Sequence, residues 1–149
     1  MEDMKNYIGI KRIDAKPMTR GEYNEYRGWE IPENENPDDE GYLVKYSDDY
    51  ESWSPKNVFE NAYCETGTNI MMDTAFMQNS SDFADRFKAE FYQTVTRFQR
   101  LQQLLTKWDN GTLEFSPKCP RGILNLQLKA MSEYIAALEA RAVIEGISL

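Results

Sequence analysis

From Ser81 onward the apolar residues of this chain recur at intervals of three and four: Ala84, Phe87, Phe91, Thr94, Phe98, Leu101, Leu105 and Trp108. That spacing is the seam of a coiled coil or helical bundle, in which one stripe of a 3.6-residue helix meets a partner. Asp82 supplies a cap at the front and Asp109-Asn110-Gly111 a stop at the back, so the pattern predicts a helix over about 82–109. A second helix starts near Pro117 or Pro120, either of which suits a first helical position. It carries Leu124, Leu128, Met131, Ile135, Leu138 and Ala142 at the same spacing and ends at Gly146. A short connection between two such helices makes them an antiparallel hairpin. Each also has a second apolar line, Phe83, Val95 and Leu104 on the first and Ile123, Ala130, Tyr134 and Ala137 on the second. One hairpin cannot cover both lines, so association with further copies is expected.

The first part of the chain reads differently. Tyr7 to Ile13 alternates β-branched and aromatic residues and predicts a strand ended by Pro17, and Thr19 to Tyr26 predicts a short helical turn capped by Thr19 and weakened by Gly21. Residues 31–40 are polar, hold two prolines and have no period, which predicts an exposed acidic loop. Gly41 to Tyr46, a turn at Ser47-Asp48-Asp49, and Tyr50 to Trp53 predict a hairpin. Ser54 as cap and Pro55 as first residue then predict a helix over 56–63 with Val58, Phe59 and Ala62 turned inward. Residues 64–80 read as a linker whose Ile70, Met71, Met72, Phe76 and Met77 form a docking helix or fill gaps in an interface. The expected fold is α+β: a small antiparallel sheet with a short helix (1–64), a linker (65–81), and a long two-helix hairpin that oligomerises (82–149).

Charge sharpens the division. Of the net −8, residues 1–80 carry −9 and residues 81–149 carry +1. An acidic first part repels nucleic acid and membrane surfaces, so neither DNA nor membrane is an expected partner and an anionic ligand must use a basic cluster in the second part. No run of apolar residues is long enough for a membrane span, and the start, Met1-Glu2-Asp3-Met4-Lys5, lacks a basic stretch leading into an apolar one, so the expected location is the cytoplasm. Two cysteines, Cys64 and Cys119, and no histidine leave no zinc set and no usual general base. The expectation is a non-enzyme with no cofactor, no metal and no catalytic residue.

Candidate chemistry lies on the first long helix. Arg86, Lys88, Arg97 and Arg100 interleave with Phe83, Phe87, Phe91 and Tyr92, and the inter-helix loop brings Lys118 and Arg121 to the start of the second helix. Arginine forks bind phosphate, helix starts add N–H donors, and aromatic faces stack on bases. Phe83, Arg86, Phe87, Phe91, Arg97, Arg100, Lys118 and Arg121 are therefore the candidate ligand-binding residues, with Phe87 or Phe91 against a base and Arg97, Arg100 and Arg121 against phosphate. The alternative is that these cations are a solvated helix face. The aromatic group Tyr23, Tyr26, Trp29, Tyr42, Tyr46, Tyr50 and Trp53 reads as the core of the first module rather than a ligand platform.

The segments Tyr7-Ile8-Gly9, Ala15 to Asn24, Gly28-Trp29, Gly41 to Tyr46 and Trp53 to Phe59 resemble a module common in phage and prophage proteins. Asp49 departs from the glycine expected in its hairpin turn. Leu124 to Met131, followed by Tyr134, is similar to small helical-hairpin proteins of phages. The order of β module and hairpin resembles the phage Thoeris anti-defence sponges, relatives of the anti-CBASS sponges. The resemblance implies a homo-oligomer, a dimer of hairpins or a hexamer, that holds a cyclic ADP-ribose isomer or cyclic oligonucleotide between subunits without cleaving it. The competing expectation is an anti-CRISPR-like inhibitor or decoy that presents its acidic part to a host defence protein.

Overall fold

A computed structural model describes residues 4–149; Met1-Glu2-Asp3, on which part of the expectation about the start of the chain falls, lie outside the described residues. The described chain is α+β, with a three-stranded antiparallel sheet and five helices in two compact units, Met1–Thr68 and Asn69–Leu149.

In the first unit, β1 (Asp14–Pro17) pairs with β2 (Gly41–Lys45), and β2 pairs with β3 (Glu51–Pro55). The strand expected over Tyr7–Ile13 is not formed: residues 4–13 are irregular, and Pro17, expected to end a strand, is the last residue of β1 opposite Tyr42. Proline is tolerated there because β1 is an edge strand. Between β2 and β3 the turn places Asp49 at φ 63°, the left-handed region that a short polar side chain tolerates.

Helix α1 (Arg20–Arg27) is closed by a capping box. Thr19 Oγ1 accepts from the Glu22 amide at 3.2 Å while Glu22 Oε2 accepts from the Thr19 amide at 2.8 Å. Gly21 inside this helix is required by its neighbour: its N–H donates to the Pro37 carbonyl at 2.9 Å, and a Cβ would lie 2.8 Å from the Pro37 Cβ. The acidic loop is thereby held against α1. Arg20 completes the clamp with a two-pronged pair to Glu35, 2.7 Å on each arm, and buried Asn24 donates to the same carboxylate at 3.2 Å. Arg20 holds the Glu35 carboxyl below its ordinary range, Asn24 adds to this, and Glu35 raises Arg20.

Tyr23, Leu43 and Val44 are the buried apolar residues of this unit. The expectation that the aromatic group forms the core is corrected here: only Tyr23 is buried, whereas Tyr26, Trp29 and Tyr50 are more than half exposed. Trp53 earns its half-buried place by donating its indole N–H to the Met18 carbonyl at 2.8 Å. Helix α2 (Lys56–Ala62) begins after Pro55 with no side-chain cap, because Ser54 belongs to β3 opposite Tyr42. Of the three residues expected to face inward, Phe59 alone is half-buried, stacked 4.1 Å from the Tyr42 ring; Val58 and Ala62 are exposed.

In the second unit, α3 (Ile70–Gln78) forms within the stretch read as a linker and packs on α4 (Phe83–Asp109). Helix α5 (Arg121–Glu145) lies antiparallel to α4: the start of α5 meets the end of α4 through Arg121 and Asp109, and its end meets the start of α4 through Ala142 and Phe87. All the seam positions from Ala84 to Trp108 and from Leu124 to Ala142 are buried or half-buried. Burying such aliphatic and aromatic side chains is worth about 1.5–3 kcal/mol each. No helix among the described residues is long and apolar enough to cross a membrane.

Candidate ligand-binding face of the helical unit

Helix α4 is the central element of its unit, with α5 on one side and α3 on another. At about 100° per residue, Phe83, Phe87, Phe91 and Leu105 share the α5 side, and Arg86, Arg97 and Arg100 lie roughly 80–140° round from Phe87. Gln93 falls within that basic stripe and faces α3. Its amide donates to Thr74 Oγ1 at 3.1 Å and accepts from Gln78 at 3.2 Å, while Thr74 donates to the Ile70 carbonyl at 2.6 Å. Thr74 and Ala89 are fully buried. Leaving either polar group unpaired would cost about 1–3 kcal/mol.

The eight candidate residues divide among separate tasks. Arg86 donates to the Ser80 carbonyl at 2.8 Å, fixing the turn between α3 and α4. Arg97 makes a long bond to Gln93 at 3.4 Å and is otherwise exposed. Arg100 and Lys118 are exposed, and neither side chain makes an ion pair or hydrogen bond among the described residues. Phe83 is 48% exposed and 6.1 Å from the Phe87 ring. Phe91 is half-buried against the α4–α5 core.

Two placements correct the expected roles. Phe87 is 2% exposed and packs with Leu138 and Ala142, so no ring face is open to a base. Arg121 grips Asp109 at 2.7 and 2.9 Å, donates to the Leu105 carbonyl at 3.4 Å and to Asn125 at 3.0 Å, and lies over the Trp108 ring at 5.5 Å. Its fork is consumed in joining the end of α4 to the start of α5. Phe87 and Arg121 also stand at opposite ends of the hairpin, about 27 Å apart at 1.5 Å rise per residue. A single chain therefore does not gather the eight residues into one pocket.

What the chain does form at the start of α4 is an open depression of about 540 Å³ lined by Asp82, Phe83, Ala84, Lys88, Glu145 and Ile147. Lys88 was grouped with the basic residues of this helix but not with the eight, and Arg141, whose guanidinium lies 5.0 Å over the Phe87 ring, was not a candidate. Arg141 sits between Leu138 and Ala142 on the helix, and that adjacency to the seam was the only signal for it. Along α5, Ile123, Leu126 and Tyr134 are 56, 62 and 43% exposed, and Ala130 and Ala137 on the same line are also exposed. These residues recur at helical spacing, forming an apolar line that nothing within the unit covers.

Residues 81–144, which span nearly all of both long helices, match a protein-family model described as Sequestin. The matched stretch is somewhat under half of the 149-residue chain. Neither the curated proteins nor the solved structures contain a match. The family's name is consistent with sequestering a molecule.

Proposed function

We propose that the protein is a phage immune-evasion sponge that binds a cyclic nucleotide signalling molecule, a cyclic ADP-ribose isomer or a cyclic oligonucleotide, and withholds it without cleaving it. The observation that carries this reading is the Sequestin match, which falls on the two helices bearing the basic and aromatic candidates. The geometry adds a condition. Because the α4 start and the Arg121 end lie about 27 Å apart in one chain, a pocket using both needs a second copy running the other way. The uncovered line on α5 is the kind of surface by which such copies associate.

In that assembly Phe83 stacks on a base, Arg97, Arg100 and Lys118 meet phosphate, and Phe87 and Arg121 hold the helices that carry them. Arginine forks at phosphate contribute charge-assisted bonds about twice as strong as neutral ones. The test incubates the whole protein with cyclic dinucleotides, cyclic trinucleotides and cyclic ADP-ribose isomers, records the thermal shift, and recovers the ligand after heating. The expected result is a large shift with one class, intact ligand on release, and at least tenfold weaker binding, about 1.4 kcal/mol, for Arg100→Ala with Lys118→Ala. Recovery of a cleaved ligand would overturn the sponge. No shift across the panel, with salt-sensitive binding to a host protein instead, would favour an inhibitor acting through the acidic first unit.

A further inference from the structure

The segment ahead of β1 has the pattern of a strand but joins no strand among the described residues. Tyr7, Ile8 and Ile10 are 85, 98 and 46% exposed, a large apolar outlay for an irregular stretch. Its base is fixed to its own unit: Ile13 is half-buried and the Lys11 ammonium lies 5.6 Å over the Tyr46 ring. Directly after it, β1 forms the outer edge of the sheet, with β2 as its neighbour and all four residues exposed. An open edge continuous with a β-forming segment invites pairing with another chain.

We infer that the stretch Gly9–Pro17 pairs antiparallel with the same stretch of a second copy, about a twofold axis through Ile13, joining two three-stranded sheets into one. Charge leaves two registers, one about Ile13 and one about Ala15 that sets Asp14 opposite the partner's Lys16; about Ala15 the exposed Ile10 falls opposite Arg20, beyond β1, so covering Ile10 favours the axis at Ile13. Arg12-Ile13-Asp14 read backwards is its own complement: with Ile13 on the axis, each Arg12 stands opposite the partner's Asp14 and the two isoleucines meet. Shifting the axis to residue 12 sets Arg12 against itself, and shifting it to residue 14 sets Asp14 against itself and Arg12 against Lys16. Both are like-charge contacts, which destabilise a cross-strand pair. In the favoured register Ile10 lies opposite Lys16, whose aliphatic stem covers it, and Pro17 falls at the rim, where its missing N–H matters least. This pairing concerns the first unit and stands whether or not the ligand reading holds.

The test uses the full chain with Cys64→Ser and Cys119→Ser, so that an added thiol is the only one. Ile13→Cys should form a disulfide-linked dimer under mild oxidation, and Tyr50→Cys, in the β2–β3 turn, should not. Adding Asp14→Arg should cut the linked fraction severalfold, and adding Arg12→Asp to that variant should restore it. On the unaltered chain, amides 9–13 should exchange more slowly as protein concentration rises. A link at Ile13→Cys that ignores both charge changes, no link at all, or concentration-independent exchange of those amides would overturn the pairing.

Discussion

The two units are held by different means. The first is fastened by polar contacts that close within it: the Thr19–Glu22 capping box, the Arg20–Glu35–Asn24 clamp, the Trp53 indole on the Met18 carbonyl, and the Lys56–Glu40 ion pair at 2.7 Å. The second relies on apolar side chains, Phe87, Leu105, Leu138 and Ala142, with one buried polar contact between Thr74 and Gln93. Polar fasteners are saturable, since each donor finds an acceptor and the account closes. Apolar stripes are not, because a helix that is apolar on more than one side has surface left when one neighbour is seated. That is why α5 leaves Ile123, Leu126 and Tyr134 uncovered.

The contrast can be broken most forcefully in the second unit. Phe87→Ala removes a fully buried ring from the Leu138–Ala142 cluster and should cost about 3–5 kcal/mol of stability. Denaturant unfolding followed by the helical signal measures it. A loss below about 1 kcal/mol would show that this cluster is not what holds α4 to α5.

The first unit has a steric counterpart. A Cβ on Gly41 would run into the Trp53 ring and the Ser54 carbonyl, so Gly41→Ala should destabilise the sheet by about 1–3 kcal/mol, read from amide exchange in β2 and β3. Unchanged protection there would mean that the Trp53 packing yields easily.

The smallest effect tests the polar fasteners directly. Glu35 is held below its ordinary range by Arg20 and Asn24, so its contribution is present above the ordinary carboxylate range and is lost as pH falls through the lowered folded value. Below pH about 4, the Gly21 amide, bonded to Pro37, should exchange faster, and Glu35→Gln should abolish that pH dependence. If the variant keeps the same acid response, the loop is released by another group.

Much of this architecture was legible in residue order. The alternation of three and four located α4 within one residue at its start and placed every seam residue on a covered side, because helix period and apolar burial are local and repetitive. The acidic loop was legible only as exposed. What pins it is Arg20, fifteen residues away from Glu35, and no local pattern announces a pair so separated. The same limit produced the errors at the candidate site. Phe87 and Arg121 have the side chains a nucleotide pocket needs, but the first is seated on Leu138 and the second on Asp109.

By itself the sequence determined the two long helices, the β2–β3 hairpin, the capped α1 and the split between an acidic first part and a near-neutral second. Each of these follows from propensity, period or composition, which act over a few residues. Only the tertiary structure decided that the Tyr7–Ile13 pattern forms no strand among the described residues, that α3 docks on α4 through Thr74 and Gln93, and which cations remain open to solvent. Those outcomes depend on what arrives from elsewhere in the chain to meet a side chain, and a residue's type fixes what it can bind without fixing what reaches it first.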